Sequence, residues 1–237
     1  MLGFYQFLYF NGFLRITMTN WVRICVNLSN LCFLCAICNA HSMKLYLLQI
    51  SLWMVYGFIH SALASPKVKR IFEQKLGRLF RHYRLLYNVL AIVLLIGLLW
   101  YQRLLPKERL WAAEWWVGGF AITLFWMGVL IALKALRGYD LREFLGISVP
   151  SSLATPNEFR TGGLLRYVRH PLYTGTILAV WGLFLHEATL QSLIMAICVT
   201  VYIRIGIVYE EQKLVREFGD AYVEYRRRVA MLFPKLF

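Results

Sequence analysis

Acidic charge is what this sequence has least of. Only 12 Asp and Glu stand against 26 Lys and Arg in 237 residues, and charged residues of both signs make up 16% of the chain. A water-soluble domain carries about 25% charged residues, so composition excludes an ordinary soluble fold. Internal repeats and low-complexity linkers are absent as well, which leaves no solenoid and no tethered domains. The three-residue repeat Cys32, Cys35, Cys38 is embedded in Phe, Leu, Ala and Ile. With Cys25 and Cys198 these are read as buried thiols on apolar helices, and no metal is expected. The N-terminal stretch has neither the compact basic start nor the small-residue cleavage site of a secretory signal.

What is present is apolar text: 59% hydrophobic residues, with 8 Trp, 14 Tyr and 16 Phe. The net charge of +14 would suggest nucleic acid on a soluble surface, but the basic residues sit between apolar runs. Membrane insertion selects that pattern, so no nucleic-acid partner is expected. Residues 1–42 read differently from the rest, because the run Trp21 to Ala40 is interrupted by Arg23, Asn27 and Asn30. It reads as a poor extra helix or an uncleaved leader. The text from Met43 (Met-Lys-Leu-Tyr-Leu-Leu) is that of a membrane-protein start, so 1–42 is expected to be an upstream extension.

Five apolar runs follow: Leu45–Ala64, Tyr83–Tyr101, Trp115–Leu136, Leu172–Leu185 and Thr189–Tyr209. About 20 helical residues span the hydrocarbon core, so the fourth run needs its flanks to cross. The link His186-Glu187-Ala188 is short enough to force the last two runs into a tight antiparallel hairpin. The expected fold is therefore all-α integral membrane, with helices 1–3 in residues 43–136 and a core with helices 4 and 5 in residues 137–237. Lys and Arg number nineteen on one side (65–84, 134–170, 213–237) and four on the other. That bias turns the first set toward the cytoplasm, in what is expected to be a bacterial inner membrane. Segment 137–165 reads as a lid or a plain connection, and the lid is the reading taken. In the tail, Tyr222, Tyr225 and Val229 share an amphipathic helix face, and Arg226-Arg227-Arg228 suits an anionic membrane surface.

Two stretches carry chemistry. Arg166-Tyr167-Val168-Arg169-His170-Pro171-Leu172-Tyr173-Thr174-Gly175 opens the fourth helix, since Pro171 suits a first helical turn. A helix N-terminus with Arg169, His170 and Tyr173 around it is a seat for a carboxylate or phosphate. Gly175 leaves room for a flat ring or a backbone. Glu210-Glu211 should close the fifth helix, where the dipole's negative end and two carboxylates favour a cation. A ligand bearing a carboxylate, an ammonium and a further positive centre satisfies both ends, and S-adenosylmethionine is such a ligand. Arg204 lies inside the fifth helix, where ionisable groups are costly and usually functional. It is seven residues from Glu211, and the two are expected to pair or act jointly as the catalytic groups. His60, Tyr83, Arg84 and Asn88 are further candidates for lining an acceptor pocket.

Together, Arg169-His170-Pro171-Leu172-Tyr173-Thr174-Gly175, Glu210-Glu211-Gln212-Lys213-Leu214 and Phe218-Gly219-Asp220-Ala221-Tyr222 resemble the isoprenylcysteine carboxyl methyltransferase and phospholipid methyltransferase superfamily. The resemblance covers residues 160–237. The text around His60-Ser61 and 84–88 is more similar to its methanethiol S-methyltransferase branch and a related denitrification-associated membrane group. The resemblance implies an integral-membrane enzyme that uses S-adenosylmethionine. It implies His170, Tyr173 and Glu210 or Glu211 as contacts to the methionine part, with Gly162, Leu164 and Leu165 lining the pocket. Gly163-Leu164-Leu165 stands where many relatives have Gly-Pro-Tyr. The expected reaction is in-line methyl transfer to a small thiol or a membrane-partitioned acceptor, among membrane lipids and without an obligate protein partner.

Overall fold

The structure, a computed structural model, describes residues 40–112, 114–138 and 161–234. Most of residues 1–42 and of segment 137–165, expected above to be an extension and a lid, lies outside these described residues. Chain contacts divide the protein into two compact units, Met1–Leu47 and Leu48–Phe237, and the account below concerns the second.

The described residues form seven α-helices and two short 3-10 segments: α1 (Ala40–Ala64), which begins in the first unit, α2 (Pro66–Leu76), a 3-10 turn (Gly77–His82), α3 (Tyr83–Leu104), α4 (Trp115–Leu136), a second 3-10 turn (Gly163–Arg166), α5 (Pro171–Glu187), α6 (Leu190–Phe218) and α7 (Asp220–Arg228). The breaks follow local chemistry. Ser65 caps α2 ahead of Pro66 at its first turn. Pro171 opens α5 with His170 at the cap position. Thr189 and Ser192 make a reciprocal capping box at the start of α6. Four helices are long and apolar enough to cross a membrane, at Ser42–Ala64, Phe80–Leu104, Trp115–Leu136 and Leu190–Phe218. Their outer faces are apolar, with Phe58, Trp100 and Trp115 exposed, as a lipid phase allows. The fourth apolar run, α5, has 17 residues and is not among those four.

α6 corrects one expectation. It does not close at Glu210-Glu211 but continues to Phe218, over 29 residues. Nothing from Gln212 to Glu217 breaks a helix; the stop comes at Gly219, whose φ of 56° suits glycine. The two carboxylates therefore project sideways from mid-helix and do not sit at a negative dipole end.

Two seams position the site. Along the first, α4 and α5 touch backbone to backbone. A Cβ on Gly128 would overlap Ala179 and lie 2.6 Å from the Gly175 carbonyl, one on Gly175 would lie 2.6 Å from the Ala132 nitrogen, and one on Gly182 2.6 Å from the Phe125 nitrogen. Gly175 thus receives a neighbouring backbone, which fixes α5 and the residues at its start. Backbone atoms cannot move aside as a side chain would, so Gly128→Val is expected to cost about 3 kcal/mol, the upper end for overpacking. Thermal unfolding in detergent would read this, and an unchanged melting point would mean the seam is loose.

The second seam joins α1, α3 and α6 in layers. Gln49, fully buried, donates to Gln102 Oε1 at 3.3 Å and to the Gln191 carbonyl at 2.9 Å. One turn on, Trp53, Leu98 and Met195 form an apolar layer. The amides fix the register of three otherwise apolar helices.

Candidate functional site

The site is built where α5 begins, α6 passes and the tail crosses both. Arg169, just before α5, reaches Glu211 on α6 with Nε at 2.8 Å and Nη2 at 2.7 Å, both on Oε1. His170 Nε2 lies 3.2 Å from the same oxygen. Arg226 of α7 approaches Glu211 Oε2 at 3.9 Å. Arg169, His170 and Glu211 are all largely buried, so this is an ion cluster in a low-dielectric setting. Its members come from the head of α5, from α6 some forty residues on and from α7, and its contacts hold those elements together.

The tail straps this cluster with backbone carbonyls. Arg169 Nη1 donates to the Arg226 and Val229 carbonyls at 3.0 and 2.6 Å. The Arg169 and His170 amides donate to the Ala230 and Met231 carbonyls at 2.8 and 3.2 Å, and Thr174 Oγ1 donates to the Leu232 carbonyl at 2.6 Å. Tail carbonyls thus take the two N–H groups just before Pro171, next to the anion seat expected at the head of α5. Tyr222 and Tyr225, on the buried side of α7, complete the strap, and Tyr225 donates to the Leu165 carbonyl at 2.7 Å. Burial pushes both phenols up to about 12, with the Glu211 carboxylate adding to the effect at Tyr222. They therefore remain hydrogen-bond donors at neutral pH.

The acidic doublet divides. Successive helical residues point about 100° apart, and here Glu211 turns inward while the Glu210 side chain stays 40% exposed. Yet Glu210 Oε2 itself is shielded and has no hydrogen-bond partner among the described residues. His170 Nδ1 lies 3.8 Å from it. Tyr173 stacks on His170 with ring centres 5.6 Å apart and packs against the Ile177, Ile203 and Ile207 cluster. Gly162, Leu164 and Leu165 lie in and beside the 3-10 turn that Tyr225 clamps. Next to it is an open groove of about 490 Å³, walled by Thr161, Arg166, Glu224, Tyr225 and Arg228.

Arg204 is not brought into this cluster. It is exposed and forms no ion pair or hydrogen bond among the described residues. The expected pairing with Glu211 fails because seven helical residues rise about 10 Å, and the carboxylate is already engaged by Arg169 and His170. Gly175 lies in the α4–α5 seam.

A second polar group lies farther along α6, where the last turns of α1 meet the first turns of α3. The His60 ring on α1 is stacked at 6.0 Å on Tyr56, at 5.3 Å from Tyr87 of α3 and at 6.1 Å from Tyr202 of α6. The Tyr87 hydroxyl is 3.2 Å from His60 Nε2, and Ser61 Oγ is 3.1 Å from the Tyr202 hydroxyl. The Tyr83 hydroxyl instead donates to the Leu63 carbonyl at 2.8 Å, and Arg84 and Asn88 are half-buried on the same helix. Sequence reasoning pointed to His60 but missed Tyr87 and Tyr202. It missed the strap as well, because backbone acceptors carry no residue signature; only Arg226 gave a readable hint.

Residues 116–221 match the phospholipid methyltransferase family. Methanethiol S-methyltransferase 2 of Bradyrhizobium diazoefficiens is 32% identical, over 81% of this chain and 74% of its own. Methanethiol S-methyltransferase of Pseudomonas deceptionensis is 30% identical, over 80% and 73%. Protein-S-isoprenylcysteine O-methyltransferase B of Arabidopsis thaliana is 25% identical, over 51% and 61%. No solved structure matches. The chain belongs to the membrane methyltransferase family of the phospholipid and isoprenylcysteine methyltransferase type.

Proposed function

We propose that this protein is an integral-membrane thiol methyltransferase that draws its methyl group from S-adenosylmethionine at the cytoplasmic face. The observation that carries the reading is the Glu210 carboxylate oxygen, shielded and without a hydrogen-bond partner among the described residues, 3.8 Å from His170 Nδ1. A buried acceptor of that kind is costly unless a cation meets it, and the donor carries an ammonium and a sulfonium. The residues fit the group. Glu210 would take the ammonium, His170 and Tyr173 would flank the methionine chain, and the turn with Gly162, Leu164 and Leu165 would wall the pocket. The groove by Arg166 is large enough for a nucleoside. When bound, the donor supplies a methyl group on a positively charged sulfur, ready for in-line displacement.

The chain's own part is to hold and to orient. Arg169 and Glu211 keep the head of α5 against α6, the tail strap keeps both in place, and the apolar helices exclude water around the acceptor. The exposed Arg204 is given no step. Relatives named for methanethiol favour a small thiol over a larger acceptor. The match to the phospholipid methyltransferase family favours a lipid amine as the second reading.

The test is purified protein in lipid nanodiscs with methyl-labelled S-adenosylmethionine, offered methanethiol or phosphatidylethanolamine. Labelled dimethyl sulfide is the expected product. Label appearing in lipid alone would move the assignment to the second reading, and no retained donor would end both.

A further inference from the structure

The proposed site accounts for the donor but leaves unassigned the group that takes the acceptor's proton. A thiol is a poor nucleophile until it ionises, because the thiolate is the reactive form. None of the ion-cluster residues is free to help. Glu211 is held by Arg169 and His170, and Glu210 sits on the donor side of the reading above.

One ridge of α6 leads from that site to the His60 cluster. Tyr202, Gly206 and Glu210 fall at four-residue intervals, so each lies one turn, about 6 Å, beyond the last and drifts only about 40° around the axis. Glu210 bears the unpartnered oxygen. Gly206, in the middle, has open space where a side chain would stand. Tyr202 ends the ridge against the His60 ring and so closely on α1 that a Cβ on Gly57 would come 2.9 Å from its ring. Arg204, two residues from Tyr202, points about 200° away and cannot serve the same face.

The surroundings of His60 are apolar and closed on the side of α1 and α3. Apart from the imidazole and the phenols of Tyr56 and Tyr87, the cleft between α1 and α3 is lined by Ile59, Leu63, Leu90, Ala91 and Leu94. That cleft is too narrow for a water molecule and so for any acceptor; the open side is the one toward Gly206, where a small thiol would stand. The Tyr87 hydroxyl lies within hydrogen-bond reach of both ring nitrogens, 3.4 Å from Nδ1 and 3.2 Å from Nε2, and a neutral imidazole keeps one unprotonated nitrogen that can accept a proton. His60 is the titratable base in the cluster, faced by Tyr56 from its own helix, Tyr87 from α3 and Tyr202 from α6.

We propose that His60, oriented by Tyr87 and Tyr202, is the general base that ionises a small thiol acceptor at the end of the Glu210–Gly206–Tyr202 ridge. The proposal rests on the methyl-transfer reading above. The S–H bond breaks, and its proton passes to the unprotonated nitrogen of His60. The electron pair left on the thiol sulfur forms the new S–CH3 bond. The pair of the broken methyl–sulfur bond stays with the donor's sulfur, which leaves uncharged, and the imidazolium later returns its proton to water.

The experiment compares the full-length wild type, His60→Gln and Tyr87→Phe with two acceptors, an alkyl thiol and an aromatic thiol already ionised at neutral pH. His60→Gln keeps a hydrogen-bond partner for Tyr87 but removes the base. Turnover of the alkyl thiol should fall at least about a hundredfold, turnover of the ionised thiol should change little, and retention of labelled S-adenosylmethionine should be unaltered. Tyr87→Phe should show the same selectivity with a smaller loss, and it keeps the test open should His60→Gln fold poorly. A readout independent of turnover is the ring resonance of His60 in histidine-labelled protein without donor, which should shift when the alkyl thiol is added. Equal losses for both thiols, or a ring resonance indifferent to the thiol, would overturn the proposal while leaving the donor site standing. A wild type that retains no donor would remove the parent reading, and this inference with it.

Discussion

Arg169→Ala should be the most damaging single substitution in the described part of the chain, lowering stability by about 3–5 kcal/mol and abolishing donor retention. Its guanidinium meets Glu211 through two nitrogens, at 2.8 and 2.7 Å, and caps the Arg226 and Val229 carbonyls. Removing it strands a buried carboxylate beside His170 and two backbone acceptors at once. The penalty is that of leaving partners unpaired, which exceeds the net worth of the intact pair. Arg169→Lys tests geometry against charge. Lysine restores the charge but has no planar fork to span a carboxylate and two carbonyls, so it should recover only a small part of the loss. Unfolding in a denaturing detergent series, read alongside labelled-donor retention, measures both effects. A variant as stable as the wild type would show that the strap, not the ion cluster, joins α5 to α6.

What the sequence could disclose was set by what one residue can signal alone. Trp115–Leu136 is bounded as its hydropathy predicts, and α5 starts at Pro171 because proline is suited to a first turn. The end of α6 was readable too, since Gly219 is the first helix breaker after the acidic doublet. Glu210-Glu211 drew attention through its charge, but helices do not have to stop at carboxylates. Partners were the harder matter. The seven-residue spacing of Arg204 and Glu211 suggested a pair, yet Arg169, forty-two positions away, holds the carboxylate. Likewise Gly128 and Gly182 are visible as glycines in apolar runs, while the backbone each receives is a fact of three dimensions. His60 was visible as an ionisable group in a hydrophobic helix, and its aromatic neighbours came only from the packing of α1, α3 and α6.

The two adjacent carboxylates should separate cleanly under conservative substitution. Glu210→Gln is expected to lower donor affinity by about 10- to 100-fold, or about 1.4–2.8 kcal/mol, the range for one hydrogen bond to a charged group. Stability should be unchanged or slightly raised, because the oxygen removed from charge is a shielded one without a hydrogen-bond partner. Glu211→Gln should behave in the opposite order. Its Oε1 answers Arg169 and His170 together, so a neutral amide there leaves a buried guanidinium without its counter-charge, and the fold weakens before binding is asked for. The contrast follows from a difference of 100° around one helix, not from any difference in chemistry between the two side chains. Isothermal titration with the donor and denaturant titration on both variants would read the two axes separately. Full donor affinity in Glu210→Gln, or a stability loss matching that of Glu211→Gln, would take the ammonium seat away from Glu210 and return it to the shared cluster.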